Sequence, residues 1–189
     1  MIDVQNTRLE DVKVFCPKVY GDNRGSFMEL YNHKALSDFG ITGLFVQDNL
    51  STSQRGVLRG VHTQIKYPQS KIVTCLQGAI FDVAVDCRLD SPTFGMWYGE
   101  ILSAGNRKQL YIPVGVAHGF LALEYTVVYM KVSTHYVPGD EIGFRWDDNG
   151  VGIKWPIPED MTLTFADKDL HWKGFREMIA ELTSLRNNL

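Results

Sequence analysis

Regularly spaced turn signals cut the middle of this chain into short β-rich runs, and that spacing constrains the fold more than any other feature. Period-2 alternation and β-branched or aromatic content place strands at residues 25–31, 44–51, 57–64, 71–76, 79–87, 95–102, 109–112, 117–123 and 127–136. Turn residues stand between them, among them Asp22-Asn23, Gly56, Gln77-Gly78 and Pro113-Val114-Gly115. Gln77-Gly78 predicts a hairpin turn between two of the runs. About nine short strands at this spacing point to a sandwich or barrel. Helical signals are confined to residues 33–39, closed by Gly40, and to 175–185, where Phe175, Met178, Ile179, Leu182 and Leu185 share one face. Strands first and helix last argue against parallel βαβ units. The expectation is an all-β, antiparallel double-sheet jelly roll with short peripheral helices and a C-terminal helix.

The 189 residues suffice for one domain with a full core. The domain reads as residues 1–189, its core about residues 9–170 and its helical tail about 173–186. Lys and Arg total 19 against 22 Asp and Glu, a net charge of −3. That balance excludes a broad basic footprint for nucleic acid but leaves room for a small anionic ligand held by a local cluster. Cys16, Cys75 and Cys87 form no Cys-x-x-Cys and read as reduced thiols of a cytoplasmic protein. Met1 to Gln5 lacks a basic segment followed by an apolar one, and no apolar run approaches the roughly 20 residues of a membrane span. No membrane partner is expected.

The densest polar cluster is Arg55-Gly56-Val57-Leu58-Arg59-Gly60-Val61-His62-Thr63-Gln64. In a regular strand Leu58, Gly60, His62 and Gln64 share a face, with Arg59 and Val61 on the other unless a bulge at a glycine reorients one of them. His62 is either a core histidine satisfied by hydrogen bonds or a general base, a role its near-neutral titration suits. A second histidine, His118, opens a strand after Pro113-Val114-Gly115. Jelly-roll metal sites use two histidines two residues apart. Here Gln64 stands two residues after His62, and no His-x-His or His-x-x-x-His pair occurs, so no metal is expected. Gly-x-Ser-x-Gly and the phosphate-loop patterns are absent. Among the cations, Arg59 and Lys71 stand out because each lies in a strand of mostly apolar neighbours.

These motifs, taken in order, resemble the dTDP-4-dehydrorhamnose 3,5-epimerases of the cupin superfamily over about residues 9–170. The resemblance rests on Asp22-Asn23-Arg24-Gly25-Ser26-Phe27-Met28-Glu29, Gln47-Asp48-Asn49-Leu50-Ser51, Gly56-Val57-Leu58-Arg59-Gly60-Val61-His62 and Asp82-Val83-Ala84-Val85-Asp86. Ser91-Pro92-Thr93-Phe94-Gly95, Ile112-Pro113, Ala117-His118-Gly119-Phe120, Arg145-Trp146-Asp147-Asp148 and Lys168-Asp169 complete it.

The resemblance implies an enzyme without cofactor or metal that acts on a nucleotide-diphosphate 4-keto-6-deoxy sugar. The C4 ketone acidifies the protons at C3 and C5; a base removes one, an enolate forms, and a proton returns on the opposite face. It makes His62 the base and Asp169 the carboxylate hydrogen-bonded to it. Lys71 falls near the sugar carbonyl, where a cation stabilises enolate charge. His118 and Asn49 match pocket positions, Arg59 and Gln47 match nucleotide or diphosphate contacts, and Glu141 and Lys168 match further substrate contacts. Arg24, Phe27 and Glu29 match residues lent by a neighbouring subunit, which implies a homodimer with shared sites.

One position departs from the family pattern. Where the family has a tyrosine, the proton donor opposite the histidine, this chain has Met130. A thioether cannot donate a proton. Tyr129 is one residue away and in a strand faces the other way, so only a bulge would bring it in. The proton then comes from water or another hydroxyl, such as Tyr136 or Tyr111. The departure keeps other readings open: an epimerase acting at one carbon, a sugar ketoisomerase on a different nucleotide sugar, or a non-catalytic nucleotide-sugar binder.

Overall fold

The computed structural model describes residues 2–187. In chain order its strands are β1 Ile2–Asn6, β2 Lys13–Pro17, β3 Val19–Asp22, β4 Gly25–Met28, β5 Gln47–Ser53, β6 Leu58–Gln64, β7 Lys71–Gln77, β8 Ala79–Asp86, β9 Trp97–Ser103, β10 Gln109–Ile112, β11 Val116–Ala122, β12 Thr126–Val132 and β13 Glu141–Gly143. The helices are α1 His33–Ser37, α2 Asp167–Leu170 and α3 Phe175–Asn187.

Two antiparallel sheets face each other. One runs β1-β2-β10-β7-β12-β5 and the other β13-β6-β11-β8-β9. From β5 onward the strands alternate between the sheets, except that β8 and β9 pair with each other, in the pattern of the expected jelly roll. All nine expected strands form, with boundary shifts. Four further strands, β1, β2, β3 and β13, were not expected, and neither was α2. Each is five residues or shorter, too short to show a period. The Gln77-Gly78 turn is not a hairpin: β7 pairs with β10 and β12, and β8 with β11 and β9. Gly78, at φ +74, turns the chain from one sheet into the other.

Alternation along the strands sorts the core. Ile80, Ala84, Leu102, Val116 and Phe120 from one sheet meet Val14, Val73, Cys75, Leu110 and Val128 from the other between the layers. The opposite faces of β6, β8 and β11 present Val61, Val83, Val85 and Ala117 outward, where Phe175, Met178, Ile179 and Leu182 of α3 cover them. Each such side chain contributes about 1.5–3 kcal/mol by leaving water, so α3 is bound to the sheet by one continuous apolar stripe. The β3–β4 hairpin stands apart from both sheets and is exposed along almost its whole length, Val19, Tyr20 and Phe27 included. No helix among the described residues is long and apolar enough to cross a membrane.

Candidate active site

One end of the space between the sheets is a cavity of about 220 Å³ lined by Arg59, His62, His118, Phe120, Met130, Glu141, Ala166, Lys168 and Asp169. A larger groove of about 710 Å³ runs along α3, past Phe94, Met96, Phe175 and Ile179, but it carries no histidine and no lysine. The chemistry therefore gathers in the smaller hollow.

A bulge in β6 builds one wall. His118 pairs with His62 and Phe120 pairs with Arg59, so three steps along β6 oppose two along β11. The extra residue turns Arg59 inward beside His62, whereas Leu58 and Val61 pack in outer apolar clusters. Gly60 permits this. It sits at φ +97, and a Cβ there would lie 2.5 Å from the His118 carbonyl oxygen and 2.7 Å from the Gly119 Cα.

The two histidines have different partners. His118 Nε2 lies 2.7 Å from Asp82 Oδ1, in a fully enclosed pair. Burial raises the Asp82 carboxyl, with His118 and then Lys71 acting against it. His62 Nδ1 makes no hydrogen bond; the nearest carboxylate oxygen, Glu141 Oε1, is 3.7 Å away. Burial lowers the His62 pKa, Glu141 opposes it, and Lys71, Lys168 and His118 add to the fall, so the ring is neutral near pH 7. Burial works against the Glu141 carboxylate, but His62 and an ion pair with Lys168 outweigh it and hold its pKa below the usual range.

Asp169 corrects the expected dyad. It is buried and lines the cavity, yet it does not hydrogen-bond His62. Its Oδ2 accepts the Gly60 N–H at 3.4 Å and its Oδ1 accepts the Trp172 indole N–H at 3.2 Å. Asp169 thus holds the bulge in place, and Glu141 stands where the partner of His62 was expected. β13 is only three residues long but pairs with β6, with Glu141 opposite Gln64 and Gly143 opposite His62.

The opposite wall is β12. Its register with β5 runs unbroken from Thr126 to Val132, and its one shift against β7 lies before Val128. No bulge brings Tyr129 inward. Met130 faces the cavity, while the Tyr129 hydroxyl accepts from Lys131 on the other face. Tyr111 is also excluded as a donor, since it stacks on Phe15 in the outer cluster beneath α1. Tyr136 lies in the half-exposed segment after β12, where its backbone N–H donates to Gln47 Oε1.

The remaining expected residues sit around this centre. Lys71 is 5% exposed on the inner face of β7, and no hydrogen bond or ion pair holds it among the described residues. Arg59 donates to Ser53 Oγ and the Thr52 carbonyl, using two of its five N–H groups. Gln47 donates to Asn49 Oδ1 at 2.7 Å on β5, and Asn49 faces Met130 across the ladder. Arg24, Phe27 and Glu29 are exposed on or beside the hairpin and none of them lines this chain's own cavity; among the described residues Arg24 pairs with Asp22 alone. Asp82 was quoted in the motifs but given no role. A charge at an inward position of an otherwise apolar strand is the signal that marks it.

A profile of the dTDP-4-dehydrorhamnose 3,5-epimerase family matches residues 6–177 of the chain. A dTDP-4-dehydrorhamnose 3,5-epimerase of Methanothermobacter thermautotrophicus is 46% identical over 172 residues, covering 90% of this chain and 93% of that protein. The fold superposes on the crystal structure of dTDP-6-deoxy-D-glucose-3,5-epimerase from Legionella pneumophila in complex with dTDP-4-keto-L-rhamnose. The TM-score there is 0.92 and the identity 43%, over 96% of this chain and 97% of the other. A 3'-monoepimerase from Streptomyces bikiniensis in complex with dTDP-quinovose is also similar, with a TM-score of 0.82 and 27% identity over 96% and 98% of the two chains.

Proposed function

Because the chain belongs to the dTDP-4-dehydrorhamnose 3,5-epimerase family, we propose that His62 is the base that draws a proton from the carbon beside the C4 ketone of a dTDP-4-keto-6-deoxy sugar. The chain is a cupin jelly-roll isomerase, a nucleotide-sugar 3,5-epimerase of dTDP-rhamnose biosynthesis. The observation that carries the assignment of His62 is its state: a neutral imidazole lining the cavity, with one ring nitrogen left without a hydrogen bond.

As the proton arrives, the ring becomes imidazolium, and Glu141 at 3.7 Å stabilises that charge. Asp169 acts through the backbone: it pins the Gly60 N–H and so keeps His62 on the inner face. The negative charge that develops on the ketone oxygen meets the cations of this end of the barrel, Lys71 foremost. The cavity of about 220 Å³ is smaller than the roughly 300–1,000 Å³ of whole-ligand pockets. It takes the sugar and leaves the nucleotide over the rim, with Arg59, Gln47, Asn49 and Lys168 placed to receive it. A second copy of the chain completes that rim with Arg24, Phe27 and Glu29 from its exposed hairpin. The working unit is then a cytoplasmic homodimer with two shared sites.

Met130 favours a second reading, inversion at one carbon only. Proton NMR of dTDP-4-keto-6-deoxyglucose in D2O with the protein separates the two, since each carbon reports both its exchange and its configuration. His62→Asn is expected to lower exchange at both carbons by about 10²–10⁴. Exchange persisting near wild-type rates in that variant removes His62 from the role.

A further inference from the structure

Inversion needs a proton delivered to the face of the sugar opposite His62, and the side chain standing on that wall cannot supply it. His118 does not solve the problem: it is the direct cross-strand partner of His62 and projects from the same sheet. Tyr136 is half-exposed beyond the end of β12, so within the barrel the donor comes from the six-stranded sheet. There β5 offers the inward amides Gln47 and Asn49 and the hydroxyls of Ser51 and Ser53, far weaker acids than an ammonium, with Ser53 already accepting from Arg59; β12 offers Val128, Met130 and Val132. On β7 the inward residues are Lys71, Val73 and Cys75, and Cys75 is committed to the Gln77 carbonyl. Lys71 pairs with Val132 and Val73 pairs with Met130, so Lys71 is the diagonal neighbour of Met130 on the same inner face.

Resting on the epimerase reading above, we infer that Lys71 is the acid that returns the proton, in place of the tyrosine that Met130 displaces. Its side chain is 5% exposed, no hydrogen bond or ion pair holds its ammonium among the described residues, and its flexible four-carbon stem springs from the inner face of β7. The charged groups facing it are Glu141 from β13, Asp82 from β8, Lys168 from α2 and His62 from β6. Burial pushes its pKa down to about 8, against the pull of Glu141 and Asp82 and with the help of Lys168. An ammonium so placed is a far better proton donor near neutral pH than an ordinary lysine.

The steps balance. His62 takes the proton from carbon, the C–H electron pair becomes the enolate double bond, and the ketone oxygen takes the negative charge. The enolate pair then takes a proton from the Lys71 ammonium on the other face; the new C–H bond forms, the N–H bond breaks, and the ketone returns. The protein is left with an imidazolium at His62 and a neutral amine at Lys71. Both reset by proton exchange with water before the next inversion.

The test measures exchange and inversion separately, by proton NMR in D2O with dTDP-4-keto-6-deoxyglucose. Lys71→Arg keeps the positive charge but cannot give up a proton near neutral pH. Inversion is expected to fall at least about 10²-fold while exchange falls less than about tenfold. An Arg variant that inverts like wild type, or loses both in equal measure, overturns the inference. A second measurement does not depend on that variant folding. Wild-type inversion should decline above about pH 8, and Met130→Tyr should move that decline upward by about one pH unit or more, toward the tyrosine range. No decline near pH 8, or a decline that Met130→Tyr leaves in place, overturns it as well. A wild type that neither exchanges nor inverts overturns the epimerase reading itself, and this inference with it.

Discussion

His118 Nε2 and Asp82 Oδ1 lie 2.7 Å apart inside the barrel with both side chains shut off from solvent, while His62, the direct cross-strand partner of His118, has no such bond. The two histidines therefore differ in what the fold asks of them. Removing one member of a buried pair leaves the other uncompensated, at a cost of about 3–5 kcal/mol. His118→Ala is expected to lose about that much stability in urea, and His62→Ala at least about 2 kcal/mol less. Equal losses from the two variants would show that His62 is held by a bond as strong as that of His118.

The residues differ in how readable they were. Strand content and the two-layer architecture follow from turn spacing and alternation, because β7, β8, β11 and β12 are each seven or eight residues long. A run of three residues such as β13 shows no period, and its pairing with β6 spans a long stretch of chain, so the approach of Glu141 to His62 was not legible. The same holds for Arg59. Strict alternation puts it opposite His62, and only the bulge, fixed by long-range packing of Gly60 against β11, brings them together. Resemblance gave Asp169 as the carboxylate bonded to His62; it lines the cavity but bonds Gly60 and Trp172 instead. That detail depends on where a four-residue helix comes to rest against β6.

The exposed hairpin makes the shared site testable by complementation. Phe27 is 70% exposed and the Arg24 side chain 86% exposed, unusual for residues matched to a binding role unless another chain covers them. In a mixture of Arg24→Ala and His62→Asn chains, each mixed dimer holds one site with both residues intact. Random exchange makes about half of the dimers mixed, so activity should recover to about a quarter of wild type. Full activity from a monomer verified by sedimentation refutes the shared site.

Gln64 sets the expectation for metals. It is buried two residues beyond His62, where an imidazole would be needed to complete a histidine pair. Activity should survive exhaustive chelation. Stoichiometric zinc, iron or manganese in active protein, with activity lost on its removal and regained on its return, reverses that expectation.

The last prediction separates what Lys71 does for the reaction from what it does to the fold. The ordinary lysine value of 10.5 falls to about 8 in the folded chain, chiefly through burial. At about 1.36 kcal/mol per pH unit, that difference of about 2.5 corresponds to about 3 kcal/mol. Below pH 8 the folded and unfolded chains both carry the proton, and folding bears the full cost of enclosing the ammonium. Between pH 8 and 10.5 the folded chain has released the proton while the unfolded chain keeps it, so stability rises with pH across that window. Above 10.5 the cost is gone. Lys71→Met, which keeps the length of the stem and drops the charge, should therefore be more stable than wild type by about 3 kcal/mol at pH 7, with the advantage shrinking as pH climbs from 8 to 10.5. The same substitution should abolish inversion, the pattern of a functional group retained at the expense of stability. Urea denaturation of both proteins at pH 7 and pH 10.5 decides the matter. A variant no more stable than wild type at pH 7, or one whose advantage is the same at both pH values, means that Lys71 is not a strained buried ammonium.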